Sequence, residues 1–273
     1  MASFELVIKP HKGWQPIDFR EAYLYRELLA FLIWRDIKVR YRQTILGGLW
    51  VVVQPLVAML IFTLIFHRLA GVNSDGPPYP LFAFAGLAPW TFFSNALSHS
   101  SNSLIGNHSL VAKVYFPRIF IPLGAIGALL LDLSLNLVFL GGLMVYYRWP
   151  VGPQLLLLPI FILGTVMAAS GLGFILSSLN VVFRDVKHLV PFIVQMGLFV
   201  TPVIYPVRYI PARWVGLLGL NPMAGMVLGF RHALLGSPVS WTTVAISMGI
   251  SATLFVSGLL VFRRMERRFA DVI

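Results

Sequence analysis

Reactive side chains are sparse in this sequence, and their spacing excludes more chemistry than it permits. Cysteine is absent, so thiolate catalysis, disulfides and thiolate metal sites are all unavailable. The acids stand singly: no two of Asp36, Asp75, Asp132, Asp185 and Asp271 are close enough in sequence to suggest a metal-diphosphate site. His67, His99, His108, His188 and His232 lack ligand spacing as well, and each reads as a solvated or interfacial histidine. No Gly-Lys dipeptide occurs, so the phosphate loop of an ATPase is missing. The chain is therefore not expected to be an enzyme, to hydrolyse ATP or to hold a metal or cofactor of its own.

Asp132 is the exception among the acids, because it falls near the middle of a long apolar run. Burying a charge there is costly, and an ionisable group inside a membrane is a functional candidate by default. A proton-coupled carrier would need such a group, together with further acids or histidines to complete a relay. Asn136, one helical turn on, offers a hydrogen-bond partner. A structural, hydrogen-bonded Asp132 is the preferred reading, with the carrier kept as the alternative.

The elements that position these residues are apolar. Hydrophobic residues make up 58% of the chain and charged ones 11%, against about half and about a quarter in soluble domains. Six stretches meet the requirement of about 20 mostly apolar residues for a core of about 30 Å. They run from Ile45 to Phe66, Tyr79 to Ser98, Ile119 to Tyr146, Leu155 to Val182, Leu189 to Val207 and Thr242 to Phe262. The fifth carries Pro191, Pro202 and Pro206, each of which removes a backbone donor. If the N-terminus lies inside, the inner connections hold sixteen Lys and Arg residues and the outer ones five, namely Arg68, Arg148, Arg208, Arg213 and Arg231. Both termini are thus expected in the cytoplasm, and topology accounts for the net charge of +11 without nucleic acid. Residues 1 to 44 carry scattered charges and two prolines, which is not a signal-peptide pattern. The expected organisation is a cytoplasmic segment (1–44), one transmembrane domain (45–262) and a basic tail (263–273).

Two further elements do not cross. Asp18 and Glu21 are spaced as a helix N-cap and its N3 partner, which predicts a helix from about Phe19 to Tyr41. Arg20, Glu21, Glu27 and Arg35 share one arc of it and Tyr23, Ala30, Ile33 and Trp34 the other, while Leu24, Leu28 and Phe31 interrupt the charged arc. Its Tyr, Trp and Arg content suits the cytoplasmic headgroup layer. The connection from Arg208 to Trp241 is unusually apolar, and Asn221-Pro222 splits it into Ala212 to Leu220 and Met223 to Leu235. Neither piece is long enough to cross, so re-entrant half-helices are expected, with a packed surface loop as the alternative.

The run from Tyr25 through Trp34-Arg-Asp-Ile-Lys-Val-Arg-Tyr-Arg42 to Leu46-Gly-Gly-Leu-Trp50, followed by Gln54-Pro55, resembles the N-terminal segment of the ABC-2 polysaccharide and polyol-phosphate export permeases. Val114-Tyr-Phe-Pro-Arg118 with Pro122, Asn180-Val-Val-Phe-Arg-Asp185 leading to Thr201-Pro-Val-Ile-Tyr-Pro206, and Asn221-Pro222 with Gly229-Phe-Arg231 agree with the same family in order. The resemblance implies an all-α membrane protein of six spans, with an N-terminal interfacial helix and re-entrant half-helices between spans five and six. It further implies a homodimer in the bacterial inner membrane, bound to two separate ATPase subunits that hold ATP and Mg. A lipid-linked polysaccharide, such as O-antigen, teichoic acid or capsule, would pass at the subunit interface.

Under that resemblance the residues take expected roles. Arg26, Arg35, Lys38, Arg40 and Arg42 put cations where a lipid-pyrophosphate would arrive, and Arg can bond phosphate bidentately. The plainer reading of this cluster is an anchor for the first span. Trp90, Phe92, Phe93, Phe199 and Tyr205 are candidates for a sugar path, since flat rings offer apolar faces to sugar C–H groups; membrane aromatics also serve as interface anchors. Lys113, Tyr115 and Arg118, in the connection around Gly106 to Pro117, are the first candidates for coupling to the ATPase. Arg184 and Asp185 are the second, unless they pair with each other or a neighbouring helix to hold a turn.

Overall fold

The structure is a computed structural model that describes residues 23–42, 48–74, 76–113 and 116–272. The proposed N-cap pair Asp18 and Glu21, Arg20, Asp75, Tyr115 and the start of the first apolar stretch at Ile45 lie outside the described residues. Among the described residues every regular element is helical. Helix α1 is Arg26–Tyr41. Helix α2, Leu49–Phe62, runs on as a π-helical segment, Thr63–Leu69. Helix α3 is Tyr79–Gly106, α4 is the short His108–Lys113, and α5 is Phe120–Tyr146. A 3-10 turn, Pro153–Leu157, leads into α6, Leu158–Val182, and α7 is Val186–Val200. Then come α8, Ala212–Val215, with a 3-10 turn at Gly216–Leu220, followed by α9, Pro222–Leu235, and α10, Trp241–Val272.

Four of these helical segments are long and apolar enough to cross a bilayer: Leu49–Leu69, Phe120–Tyr146, Pro153–Val182 and Trp241–Glu266. Helix α3 is as long, at 28 residues, but its second half carries Thr91, Ser94, Asn95, Ser98, His99 and Asn102. It is also the central helix, buried without interruption from Leu81 to Trp90 and packed against α2, α5, α6, α7 and α9. The fifth apolar stretch departs most from its expected bounds. Helix α7 has 15 residues, about 22 Å at 1.5 Å per residue, and stops at Val200 because Thr201 is extended (ψ 136°) and Pro202 follows.

The closest packing is between α6 and α10. A Cβ at Gly171 would strike the backbone of Leu254 and Phe255, and one at Gly258 would strike the backbone of Gly171. Only glycine permits such an approach, the usual basis of helix association in membranes, where the hydrophobic effect does not pull helices together. Helix α9 shows its boundaries in sequence. The Asn221 side chain accepts a bond from Met223 N at 3.0 Å, Pro222 occupies the first helical position, and Gly236 ends the helix at φ +68°. The predicted break at Asn221-Pro222 is this N-cap.

Helix α1 lies on α5 by the face that carries Leu32 and Ile33. Leu32 is buried, with Leu28 and Leu29 packed into the same cluster, whereas Tyr23, Phe31 and Trp34 are exposed. Gly124 and Gly127 on α5 explain the choice, since they leave room for Leu32 and Ile33 to approach. The opposite, exposed side mixes Tyr23, Phe31 and Trp34 with the charges of Arg26, Glu27 and Lys38. Helix α2 and helix α7 also present large apolar side chains outward, among them Leu60, Ile61 and Leu64 on the first and Phe192, Ile193 and Met196 on the second.

Candidate functional site

The seating of α1 on α5 brings the end of α1 over Asp132. Arg40 Nη1 donates to Asp132 Oδ2 at 2.8 Å, and the Tyr41 hydroxyl donates to Oδ1. Burial, reinforced by the Asp132 carboxylate, pushes the Tyr41 phenol well above its ordinary range, so it remains a donor at any physiological pH. Asp132 is thus charge-paired and doubly hydrogen-bonded. Asn136 does not partner its carboxylate. Instead Asn136 Nδ2 donates to the Asp132 backbone carbonyl at 2.9 Å, leaving its own Oδ1 enclosed and without a partner among the described residues. An unmade bond at a buried polar atom costs about 1–3 kcal/mol, so such an atom calls for an explanation.

Beside this cluster is a cavity of about 280 Å³. Arg40 and Tyr41 close it from α1, Trp50 and Gln54 from α2, Asp132 and Asn136 from α5, and Thr91, Phe92, Asn95 and His99 from α3. A second hollow, of about 540 Å³, shares Arg40 and His99 with the first and continues past Asp36, Ser98, Asn102 and Asn107. The two form one cleft along the polar face of α3. Thr91, Asn95, His99 and Asn102 recur at intervals of four, four and three, which places them on one side of the helix. That spacing was available in the sequence, but the search for acids, bases and metal ligands passed over neutral amides and hydroxyls.

Across the molecule a second polar cluster is built on Arg231, whose relative exposure is only 2%. Its Nε donates to the Phe82 carbonyl at 3.1 Å, Nη1 to that of Pro202 at 2.6 Å and Nη2 to that of Val203. The guanidinium lies 3.5 Å from the centroid of the Phe82 ring. Tyr79 donates to the next carbonyl, Ile204, at 2.6 Å, and Asn221 Nδ2 to Thr201 Oγ1 at 2.8 Å. The chain leaves helical geometry after Val200, and carbonyls freed in an apolar setting must find donors within the protein. Arg231 and Tyr79 supply them, so the Thr201-Pro-Val-Ile-Tyr-Pro206 run acts as an acceptor strip. Arg231 is thus a buried staple and not an exposed loop charge.

A family described as ABC-2 type transporter matches residues 27–235. The chain belongs to this family. It is similar to the "O-antigen export system permease protein RfbA" of Klebsiella pneumoniae, with 31% identity over 94% of this chain and 98% of that protein. The protein of the same name from Myxococcus xanthus is 33% identical over 93% of this chain and 98% of its own length. The "Polysialic acid transport protein KpsM" of Escherichia coli is more distant, at 24% identity over 86% and 92%.

As an ABC-2 transporter, the chain can be compared with the roles expected of its residues. The five cations of α1 and its end divide. Arg40 is held by Asp132, and Arg35 is paired with Asp36 at 2.7 Å. Arg26 stands over the Tyr23 ring at 4.1 Å and Lys38 over the Trp34 ring at 5.1 Å, both exposed, and Arg42 is exposed as well. Of the five aromatic path candidates, Phe92 alone borders the cleft. Trp90 and Phe93 stack in the core at 5.6 Å between ring centroids, with Trp90 against Gly197 of α7. Phe199 is exposed, and the half-buried Tyr205 donates to its carbonyl at 2.8 Å. Of the coupling residues, Lys113 is exposed at the end of α4. Arg118 is tied to α10, its backbone N–H donating to Glu266 Oε1 at 2.9 Å and its Nη1 to the Glu266 carbonyl at 2.6 Å. Arg184 and Asp185 are both exposed in the turn before α7, and among the described residues no ion pair joins them.

Proposed function

We propose that this chain is the membrane-spanning permease subunit of an exporter that carries a lipid-linked polysaccharide, O-antigen in the first instance, out of the cytoplasm across the bacterial inner membrane. The similarity to O-antigen export permeases over almost their whole length carries this reading. ATP and Mg are bound by a separate ATPase subunit, two copies of which serve a homodimer of this chain. The outward apolar faces of α2 and α7 are consistent with burial against lipid or a second copy. We add α3 and the α7 region to the four long apolar segments to make six spans with both termini cytoplasmic, and take α8 and α9 as the re-entrant pair. In this arrangement α1 lies at the cytoplasmic headgroup layer, with its exposed rings and the cations over them at the membrane surface. Arg26, Lys38 and Arg42 face the arriving pyrophosphate, Lys113, Tyr115 and Arg118 meet the ATPase with Arg184 and Asp185 as the second contact, and Phe92 represents the aromatic path candidates nearest the cleft.

Deletion of the gene tests this directly. Surface polysaccharide should disappear while lipid-linked polymer accumulates in the cytoplasmic leaflet, and the tagged chain should bring down an ATPase subunit. Unchanged surface polymer in the deletion strain would overturn the reading. Similarity to the polysialic acid transport protein supports capsule as the second choice of cargo, and the identity of the missing polymer decides between them. A proton carrier is less well supported, because Asp132 would have to leave both Arg40 and Tyr41 to exchange a proton.

A further inference from the structure

The cleft between α1, α2, α3 and α5 has a composition that neither topology nor packing explains. Amides, a hydroxyl and an imidazole line a face of α3 that would otherwise be expected to be apolar, and the enclosed Asn136 Oδ1 beside them has no partner among the described residues. The charges there cancel, because Arg40 is matched by Asp132. A neutral wall rich in amides suits a ligand that presents many hydroxyls and no net charge. Amide groups both donate and accept, as a sugar hydroxyl does, while the rings of Trp50 and Phe92 add apolar faces for C–H groups. The volume, about 280 Å³, is just below the range usual for small-molecule pockets, which suits one ring and not a length of polymer.

Resting on the export reading, we propose that this cavity is a recognition subsite for the first sugar of the cargo, the one bonded to the lipid diphosphate. Gln54, Asn95 and Asn136 bond its hydroxyls, His99 stands where the cavity meets the outer hollow, and the diphosphate remains at the exposed cations of α1. The exporter would then read the beginning of the glycan, independently of how long the chain has grown.

The test uses the full chain with its ATPase partner in nanodiscs and three probes: farnesyl diphosphate, and the same lipid carrying one galactose or one N-acetylglucosamine on the diphosphate. At least one glycosylated probe should bind about tenfold more tightly than farnesyl diphosphate. In Asn95→Leu, and separately in Gln54→Leu, that difference should shrink to less than about threefold; these two positions are only partly enclosed or exposed, so their variants serve if Asn136→Leu fails to fold. Equal binding of all three probes to the wild type would overturn the subsite, as would an undiminished preference in both variants. Surface polymer in the deletion strain tests the export reading separately. Lost surface polymer with equal probe binding overturns the subsite alone, whereas unchanged surface polymer removes the reading on which it rests.

Discussion

Arg231→Met removes every donor of the staple while keeping much of the side-chain volume. The carbonyls of Pro202 and Val203 lie in the non-helical stretch after Val200, so no helical ladder replaces the lost bonds, whereas the Phe82 carbonyl sits within α3, where a backbone donor is at hand. A bond from a charged donor is worth about 1.5–3 kcal/mol. Two such bonds set the expected loss at about 3–6 kcal/mol, before the contact between the guanidinium and the Phe82 ring is counted. Arg231→Lys keeps the charge on a single ammonium that cannot span three carbonyls, and should lose about half as much. The assay is the fraction of purified permease–ATPase complex that stays monodisperse after heating, and the expected order of heat resistance is wild type, Lys, Met. Gly86→Ala supplies an independent arm: its Cβ would lie 2.6 Å from Arg231 Nη2 and 2.8 Å from the Val203 carbonyl, so it should destabilise by displacing the same fork. A Met variant as heat-resistant as the wild type would refute the reasoning.

Asp132→Asn should assemble and export at close to the wild-type level, because the amide oxygen still accepts from Arg40 or Tyr41. Asp132→Leu should assemble poorly through the unmatched Arg40, and Asp132→Leu with Arg40→Met should recover part of the membrane level seen on immunoblots. Glu266→Ala removes the side-chain acceptor of the Arg118 backbone N–H; in proteoliposomes the complex should retain ATP hydrolysis while export in cells falls several-fold. Gly258→Val should prevent α10 from seating on α6 and abolish the assembled complex in size-exclusion chromatography. The permease purified without its ATPase should show no ATP turnover, and turnover that survives rigorous removal of the partner would contradict the missing phosphate loop.

Apolar runs, proline positions and the Asn221-Pro222 break could be read from the sequence because each acts locally. Length sets a span, a missing N–H stops a helix, and an Asn side chain caps one. The pairing of Arg40 and Tyr41 with Asp132 was not legible, since it depends on which face of α1 meets α5. That choice is made by Gly124 and Gly127, residues without side chains to announce it. Asn136 does not serve the Asp132 carboxylate as its spacing suggests, because the helix directs its amide to a backbone carbonyl one turn back. The burial of Arg231 is hidden for a related reason: a basic residue in a connection reads as an exposed charge until the carbonyls of a broken helix, some thirty positions earlier in the chain, turn out to need it.

The contact between Gly171 and Gly258 bears on how force can travel. Where two helices touch through backbone, no rotamer can yield, so α6 and α10 behave as one beam and not as two sliding rods. Glu266 extends that beam to Arg118, next to the connection that carries Lys113. A push delivered there would be passed along a stiff member instead of being absorbed near its point of application. Helix α1 is seated on α5 by Leu32 and Ile33 as well as by the ion pair and phenol at its end, which leaves the lightly packed α2 and α7 as the compliant parts. An ATPase stroke applied to such a frame would move its edges apart while leaving its spine unbent.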